Sequence, residues 1–285
     1  MNTITLSSPA KINLRLEILG KRPDGYHDIR TIFQKVSLFD EITLTVVPRP
    51  GITITVDEPS IPADSSNLAY KAASGFFETR PFSRGLAIHI KKRIPSGAGL
   101  GGGSSNAATT LIGLNSLLEA GMPDGQLHNL AVSLGADVPF FMSAASTALG
   151  TGIGEKLTPI NLHRKLWCIL ISPDFSISTA WAYTTFSKHN ILTNNKKNII
   201  IDDSIFDIKH VVSLLCNDFE NTVIPEYPEI EQLKNDLAQA GAAGTLLSGS
   251  GSSVFGVFPS HEAASNAMNT LREKAGYTTH IVHSL

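Results

Sequence analysis

The clearest periodicity in the chain lies near its N-terminus, where polar and apolar residues alternate strictly from Lys11 to Ile18. Alternation with a period of two is typical of a β-strand that has one buried and one solvated face. The sequence therefore predicts a half-buried strand at this position. Because side chains two residues apart share a face, we expect Lys11 and Asn13 side by side on its polar surface.

Similar patterns along the rest of the chain predict a mixture of strands and helices. Strands are expected over residues 41–47, 52–56, 86–92, 167–172 and 278–283, and two more strands around a turn within residues 245–258. Helices are expected over residues 67–77, 104–120, 125–134, 229–240 and 260–275. The predicted strands of residues 41–47 and 52–56 are joined by a turn at residues 48–51. Strands joined by turns and followed by helices favour an α+β fold over a series of βαβ units.

The length of 285 residues exceeds one typical hydrophobic core and predicts two domains, residues 1–160 and 161–285. In the second domain, the order of strand, helices, strand pair, helix and strand is typical of a ferredoxin-like arrangement. The polar segment of residues 187–207 is predicted to be a surface insertion.

Composition narrows the classes of protein. Hydrophobic residues make up 42% and charged residues 17% of the chain, as in ordinary globular proteins, and the net charge of −2 argues against nucleic-acid binding. Cys168 and Cys216 show no C-x-x-C spacing, which favours a reducing compartment. Neither a signal peptide nor an apolar run of about 18 residues is evident. We therefore expect a cytoplasmic protein without a membrane partner.

The segment of residues 95–105 is the most informative motif, because glycines and alanine dominate it and two serines end it. Backbone N–H groups of such a loop can converge on an anion, and a helix starting near Ser104 adds the positive end of its dipole. The pattern predicts a phosphate cradle and nucleotide-dependent phosphoryl transfer. A flexible linker is the alternative interpretation.

Two other glycine motifs do not fit this segment. A P-loop requires Lys followed by Ser or Thr after its last glycine, but Gly103 is followed directly by Ser104. Gly97, Gly99 and Gly102 match the dinucleotide-binding pattern. That pattern requires a strand after the helix, whereas a second helix is predicted here, so the match is interpreted as accidental.

Asp137 is the best candidate for a catalytic carboxylate, because it lies between two predicted helices and is followed by the apolar residues Val138 and Phe140. It could instead cap a helix that opens at Pro139. Lys11 is its natural partner, since phosphoryl transfer requires charge compensation and removal of a hydroxyl proton. Considered alone, Lys11 could simply belong to a solvated strand face.

Two further segments suggest ligand contacts. Tyr26 and His27 follow a turn that does not itself require them, so an exposed Tyr and His suggest a planar ligand, with an ordinary surface histidine as the alternative. The second glycine-rich segment, residues 247–253, is either a plain hairpin or a loop that closes over phosphates.

Together these motifs resemble those of the GHMP kinases, a superfamily that includes galactokinase, homoserine kinase and mevalonate kinase. The resemblance rests on three segments in the family's order, residues 9–14, 95–106 and 247–253. Residues 22–27, 101–106 and 135–139 are most similar to the branch that phosphorylates the 2-hydroxyl of 4-diphosphocytidyl-2-C-methyl-D-erythritol in non-mevalonate isoprenoid synthesis. The similarity covers nearly the whole chain.

The resemblance implies a ribosomal-protein-like N-terminal nucleotide domain, a ferredoxin-like C-terminal domain, and ATP with Mg²⁺ as the reacting nucleotide. Ser105 is a possible Mg²⁺ ligand, and no carboxylate ligand is indicated. The implied ATP-binding residues are Pro95, Ser96, Gly97, Ala98, Gly99, Leu100, Gly101, Gly102, Gly103, Ser104 and Ser105.

The resemblance also implies individual roles. Asp137 would be the general base, and Lys11 would keep it ionised and orient the substrate hydroxyl. The implied substrate-binding residues are Asn13, Tyr26, His27, which would read the cytosine edge, and Tyr183, which would stack on cytosine. Trp181 is the alternative for the stacking ring. The sequence departs from the family at Ser178, where Pro is common, and in the length of residues 187–207.

Other functions are less well supported by the sequence. A different GHMP kinase, such as homoserine kinase or a mevalonate-pathway kinase, is less well supported, because its substrate has no cytidine half for Tyr26 and His27 to bind. An RNA-binding module conflicts with the net charge of −2, and an NAD-dependent dehydrogenase conflicts with the missing strand. The oligomeric state is left open.

Overall fold

The computed structural model describes residues 2–188, 204–205, 207–272 and 277–285. Most of the predicted polar insertion, residues 189–203 and 206, therefore lies outside the described residues. The described residues of Met1–Ala10, Leu38–Ser96 and Gly101–Ala144 form unit 1, and those of Lys11–Ser37, Gly97–Leu100 and Ala145–Leu285 form unit 2. The units interleave along the chain. The division at residue 160 into two successive domains stays a prediction.

Two long strands, β1 (Thr3–Lys21) and β2 (His27–Val47), contribute residues to both units. The other elements of unit 1 are β3 (Gly51–Val56), α1 (Leu68–Thr79), β4 (Gly85–Lys91), α2 (Gly102–Leu117), α3 (Asp124–Leu134) and α4 (Val138–Met142). β4 pairs antiparallel with β2 and parallel with β3, so it lies between two strands that follow each other in sequence. The turn at residues 48–51 therefore joins β2 to β3, which are not neighbours in the sheet. The chain returns from β3 to the parallel strand β4 through the crossover helix α1.

Local sequence explains where the helices of unit 1 begin. The side chain of Asn67 accepts a hydrogen bond from Ala69 N at 2.9 Å, which caps α1 as Asn commonly does. Helix α2 begins two residues before the predicted Ser104, after Gly101 with φ 70° and without a side-chain cap. At Gly113, a Cβ atom would stand 2.6 Å from Leu44 Cδ1, so this glycine lets α2 pack closely on β2.

Unit 2 contains a four-stranded antiparallel sheet in the order β11-β12-β8-β13. Its elements, after β1 and β2, are β5 (Thr147–Thr151), β6 (Lys156–Pro159), β7 (Asn161–Leu162), β8 (Trp167–Ser172), α5 (Thr179–Lys188), β9 (Ser204–Ile205), α6 (Ile208–Leu214), β10 (Cys216–Asn217), α7 (Glu220–Glu226), α8 (Pro228–Gln239), β11 (Gly244–Leu247), β12 (Val254–Phe258), α9 (His261–Arg272) and β13 (Thr278–His283). This strand order is that of a ferredoxin-like sheet and confirms the expectation for the second half of the chain. The ribosomal-protein-like detail of the first domain stays a prediction.

The core of unit 2 lies between this sheet and its helices. Apolar side chains from β8, β12, α5, α7, α8 and α9 form one buried cluster that includes Ile169, Val254, Phe186, Val223, Leu233 and Met268. Burial of each large side chain contributes about 1.5–3 kcal/mol. Among the described helices, none has both the length and the apolar character needed to cross a membrane.

The prediction of a half-buried β1 is wrong, because both faces of the strand are buried between Lys11 and Ile18. On the polar face, the exposed fractions of Lys11, Asn13, Arg15 and Glu17 are 4%, 1%, 4% and 1%. These groups are tolerated inside because they bond to polar partners, as Arg15 does to Leu214 O and Glu17 does to Arg15. Alternation distinguishes the two faces of a strand, but it does not reveal whether the polar face is covered.

Candidate active site

Lys11 occupies the start of the buried polar face within unit 2. Its Nζ atom donates to Asn13 Oδ1 at 2.6 Å and lies 5.8 Å from the centre of the Phe33 ring. Its main-chain N donates to Leu100 O at 3.0 Å, which ties β1 to the glycine loop. The adjacency of Lys11 and Asn13 is confirmed, and the solvated-face alternative is wrong because the lysine is 4% exposed.

The glycine loop is shaped by backbone conformations that only glycine adopts without strain. Gly97, Gly99 and Gly101 have φ values of 64°, 75° and 70°, in the left-handed region. A Cβ atom at Gly99 would stand 2.0 Å from Ser248 O. The loop is therefore fixed by its contacts and is not a flexible linker. Its residues 97–100 belong to unit 2, and residues 95, 96 and 101–105 belong to unit 1.

The second glycine-rich loop, residues 247–253, holds the backbone of residues 97–100 within unit 2. Ser248 Oγ donates to Gly99 O at 3.0 Å, and Ser253 N donates to Ala98 O at 3.1 Å. β11 and β12 pair antiparallel around this loop, so the hairpin interpretation is correct, whereas closure of the loop over phosphates stays a prediction. A Cβ atom at Gly249 would stand 3.3 Å from Lys11 Nζ, which shows how closely the loop backbone approaches the lysine.

Asn217 supports this second loop and was missed by the sequence analysis. Its Nδ2 atom donates to Leu247 O and to Gly249 O, both at 2.8 Å, and the residue is 5% exposed. Both carbonyl groups lie 30 or more residues further along the chain. A single Asn with partners so distant in sequence leaves no local pattern from which its role could be predicted.

In unit 1, buried polar groups fix both ends of the glycine loop. Asp40, also missed from the sequence, accepts hydrogen bonds from Arg93 N at 2.8 Å and Ile94 N at 2.9 Å, and it pairs with Lys92. On the helix side, Ser8 Oγ donates to Ser105 Oγ at 2.8 Å. The chain is therefore held on each side of the segment that is predicted to bind ATP.

Asp137 lies in unit 1 at the N-cap position of α4, but its side chain makes no capping hydrogen bond. The capping alternative therefore does not account for this aspartate. Helix α3 ends at Gly135, whose N–H donates to Ala131 O at 3.3 Å, so Asp137 lies in the short turn between α3 and α4 as predicted. It is half-buried. Its catalytic role stays a prediction.

His27 is 9% exposed, so the expectation of an exposed histidine is wrong, whereas Tyr26 is 61% exposed as expected. The His27 ring is buried because it stacks on Tyr183, with ring centres 5.0 Å apart and planes 21° apart. Its Nε2 atom lies 2.8 Å from Ser187 Oγ, and that hydroxyl donates to Tyr183 O at 2.9 Å. Ser187 therefore accepts from His27 Nε2–H, which leaves Nδ1 as an acceptor.

The electrostatic surroundings keep His27 neutral near pH 7, because burial and then the positive charge of Lys21 lower the pKa of its ring.

The two candidate stacking rings, Tyr183 and Trp181, have different neighbours. Tyr183 contacts His27 and packs edge-on against Phe219 at 4.8 Å, whereas Trp181 packs edge-on against Tyr227 at 5.4 Å. Of the two rings, Tyr183 is the one stacked on His27.

Further along the polar face of β1, Arg15, Glu17 and Arg30 form an ionic network. Glu17 Oε1 lies 2.7 Å from Arg15 Nη2, and Glu17 Oε2 lies 2.5 Å from Arg30 Nε. Burial alone would raise the pKa of Glu17, but hydrogen bonds from Arg15 and Arg30 outweigh it and lower that pKa to about 2. The network was not predicted, because Arg15 and Glu17 were expected on a solvated face.

Comparison with known families identifies both halves of the chain. The GHMP kinases N terminal domain matches residues 67–145, and the GHMP kinases C terminal domain matches residues 207–277. The first match contains the glycine loop and Asp137. The second contains the loop of residues 247–253, which bonds to Ala98 and Gly99 of the glycine loop.

Individual relatives give closer matches. The 4-diphosphocytidyl-2-C-methyl-D-erythritol kinase of Citrifermentans bemidjiense is 42% identical over 285 residues, which is 100% of both chains. The protein of the same name from Lachnoclostridium phytofermentans is 41% identical, over 94% of this chain and 92% of its own. A crystal structure of 4-(cytidine 5'-diphospho)-2C-methyl-D-erythritol kinase is 30% identical with a TM-score of 0.79, covering 98% of this chain and 99% of that one. Mevalonate kinase from L. major shares the fold, at 16% identity and a TM-score of 0.75, over 99% and 97% of the two chains.

Proposed function

The chain belongs to the 4-diphosphocytidyl-2-C-methyl-D-erythritol kinases of the GHMP family, and from this premise we propose how its residues carry out the reaction. It is an ATP-dependent kinase that phosphorylates this substrate in isoprenoid biosynthesis. In our proposal, the γ-phosphoryl group of ATP passes to the 2-hydroxyl, with Lys11 and Asp137 as the catalytic residues. A cytoplasmic location and the absence of nucleic-acid binding stay predictions.

The observation that carries the proposal is the way in which Lys11 is held. Its ammonium bonds to the amide of Asn13, and its backbone bonds to Leu100 of the glycine loop. Phosphoryl transfer needs positioning and charge compensation more than covalent chemistry. A fixed cation whose backbone is joined to a loop of left-handed glycines suits both needs. Lys11 compensates charge on the transferred group, and Asn13 orients the acceptor hydroxyl.

Asp137 accepts the proton of the 2-hydroxyl as the oxygen attacks phosphorus. Its placement supports this role, because the residue is half-buried in the short turn between α3 and α4. A positioned general base contributes about 10²–10⁴-fold to a rate. The proton moves from the substrate oxygen to the carboxylate, while ADP leaves with the electrons of the broken P–O bond.

Residues 95–105 bind the ATP phosphates through main-chain N–H groups, as glycine-rich loops before helices do. Mg²⁺ prefers oxygen ligands and takes most of them from nucleotide phosphates and water, so it needs few protein groups. The Ser105 hydroxyl fits that chemistry and would hold it, because Ser105 lies in the first turn of α2, directly after the glycines that would bind the phosphates. When bound, Mg²⁺ neutralises phosphate charge.

The cytidyl half of the substrate is recognised by Tyr26, His27 and Tyr183. With its hydrogen on Nε2, the neutral His27 ring presents Nδ1 as an acceptor, and the N4 amino group of cytosine is a donor. Tyr183 provides a ring on which a base can stack, which is worth about 1–3 kcal/mol. This pairing of acceptor and stacking ring supports a cytidyl substrate over homoserine or mevalonate, which lack a base.

Coupled ADP release tests the reaction. Purified protein with Mg-ATP should release ADP with 4-diphosphocytidyl-2-C-methyl-D-erythritol and not with homoserine or mevalonate. Release with only one of the other acceptors would keep the kinase and reject the cytidyl substrate.

The substitution Asp137→Asn tests the general base in the same assay. We expect kcat to fall by roughly 10²–10⁴-fold, because the amide cannot take the proton. The matched control is Asp124→Asn, which changes an exposed aspartate at the start of α3 and should leave kcat within about twofold. A folded Asp137→Asn enzyme with near-normal turnover would remove Asp137 from the catalytic role.

A further inference from the structure

Thr31 on β2 is completely buried, with an exposed fraction of 0%, and it is hydrogen-bonded to Asn13, the residue that accepts from the candidate catalytic Lys11. Asn13 Nδ2 donates to Thr31 Oγ1 at 2.7 Å, and Thr31 Oγ1 donates to the main-chain oxygen of Arg15 at 2.7 Å. Nothing in the sequence pattern or in the proposed reaction explains why a hydroxyl stands here. The inference below rests on the proposed function, because it concerns the orientation of Lys11 and Asn13.

The donors and acceptors at the two ends of this chain of hydrogen bonds fix its direction. At one end, the Lys11 ammonium can only donate, so Asn13 must present its amide oxygen to it. At the other end, the carbonyl of Arg15 can only accept, so the single hydrogen of the Thr31 hydroxyl points to it. The hydroxyl is then left to accept from Asn13, which requires the NH₂ end of the amide. Both ends demand the same orientation of Asn13.

We infer that Thr31 is a positioning residue of the phosphoryl-transfer site, whose hydroxyl fixes which end of the Asn13 amide faces Lys11. In this orientation the amide oxygen holds the ammonium, and the second hydrogen on Nδ2 serves the acceptor alcohol. Without the Thr31 hydroxyl, the amide can turn about its last torsion, which is broad for Asn. Turning would place NH₂ hydrogens against the ammonium and displace it.

The methyl group of Thr31 explains why threonine rather than serine occupies the position. Thr31 pairs with Gly150 on β5, and a Cβ atom at Gly150 would stand 3.0 Å from Thr31 Cγ2. The missing side chain of Gly150 therefore makes room for the methyl group. Because a β-branched side chain is stiff at its first torsion, this packing keeps the hydroxyl aimed at Arg15 O and Asn13.

The first test compares steady-state kinetics of Thr31→Val, Thr31→Ser and a control. Thr31→Val keeps the shape and removes the hydroxyl, so we expect kcat to fall about tenfold, with KM for ATP changed less than twofold. Thr31→Ser should recover most of the loss. The control is Thr147→Val, which removes a buried hydroxyl that donates to Gln34 Oε1 at 2.6 Å and makes no bond to Asn13. An equal kcat loss in Thr147→Val, or no recovery in Thr31→Ser, would overturn the inference.

A double-mutant cycle with Asn13→Ala tests whether Thr31 acts through Asn13. If it does, Thr31→Val lowers kcat in the wild-type background and leaves it unchanged in the Asn13→Ala background. Losses that simply multiply would show that Thr31 acts by some other route and would overturn the inference.

Nuclear magnetic resonance provides a measurement that does not depend on activity. The side-chain NH₂ signals of Asn13, assigned by their loss in Asn13→Ala, should exchange slowly with solvent in the wild type and in Thr31→Ser. They should exchange much faster in Thr31→Val, while Thr147→Val leaves them unchanged. Unchanged exchange in Thr31→Val would overturn the inference even in an active enzyme. If this exchange pattern were found but the protein did not phosphorylate the cytidyl substrate, the proposed function would fail and the role of Thr31 in orienting Asn13 would stand.

Discussion

The polar face of β1 has two halves that are equally buried but differently satisfied. The amide half consists of Lys11 and Asn13, and the ionic half consists of Arg15 and Glu17. In the ionic half, opposite charges meet directly, with Arg15 and Arg30 on the two oxygens of Glu17. In the amide half, a neutral amide and a neutral hydroxyl orient the lysine.

Burial and polarity do not distinguish the two halves, but the ionic network does, since it joins two arginines to the single carboxylate of Glu17. A carboxylate that compensates two buried or half-buried cations contributes to the fold, and removing it is costly. In the other half, the hydrogen bond from Lys11 to the Asn13 amide fixes the position of the ammonium. We therefore expect substitutions in the ionic half to change stability, and substitutions in the amide half to change turnover.

The largest expected effect is on stability, for Glu17→Gln. This change removes the carboxylate between two arginines and leaves Arg15 buried without its counter-charge, which should lower the free energy of unfolding by about 3–5 kcal/mol. Urea unfolding at pH 7 measures it. The control is Glu41→Gln, an exposed glutamate on β2, with an expected change below about 0.5 kcal/mol. Equal stability of the two variants would show that the ionic half does not hold the fold together.

Lys11→Met should have the opposite signature. Methionine keeps an unbranched apolar stem, so the loss of stability should be smaller than that of Glu17→Gln, while kcat should fall by roughly 10²–10³-fold as charge compensation is lost. Lys35→Met is a matched control, because Lys35 is another buried lysine of unit 2, whose pKa burial lowers to about 8. It should leave kcat within about twofold. If both variants lost turnover equally, the special role of the amide half would be rejected.

Much of the fold follows from local patterns. The predicted strands of residues 167–172 and 278–283 coincide with β8 and β13, and the predicted helix of residues 260–275 contains α9, where the Ser260 hydroxyl accepts from Ala263 N at 3.1 Å. The glycine loop and the adjacency of Lys11 and Asn13 were also predictable, because glycine runs and strand alternation are short-range signals. The position of β4 between β2 and β3 was not, since it depends on a crossover helix rather than on a turn.

The supporting residues of the candidate site were hidden from the sequence for a different reason. Thr31, Asn217 and Asp40 are single polar residues whose partners lie far along the chain, such as Leu247 for Asn217 and Ile94 for Asp40. Hydrogen bonds of this kind have no sequence period. The burial of His27 was missed for the same reason, because its neighbours Tyr183 and Ser187 lie more than 150 residues away.

Acid should weaken the ionic half selectively. The pKa of Glu17 is lowered from 4.5 to about 2 in the folded protein, so its stabilisation is complete above about pH 4.5 and is lost as the pH falls through about 2. The shift corresponds to on the order of 3 kcal/mol. The difference in unfolding free energy between wild type and Glu17→Gln should therefore shrink progressively between pH 5 and 3. A difference that stays constant over this range would contradict the lowered pKa.

The smallest effect is expected for Arg30→Gln, at the outer end of the ionic half. The Arg30 side chain is 25% exposed, so water can replace part of its interaction with Glu17, which keeps its bond to Arg15. We expect the free energy of unfolding to fall by about 1 kcal/mol and kcat to stay within about twofold. A stability loss as large as that of Glu17→Gln would mean that Arg30 and Arg15 are equally necessary to the buried carboxylate. A fall in kcat without a fall in stability would instead show that the ionic half contributes to catalysis. The proposed division of the polar face of β1 into a structural half and a catalytic half would then be wrong.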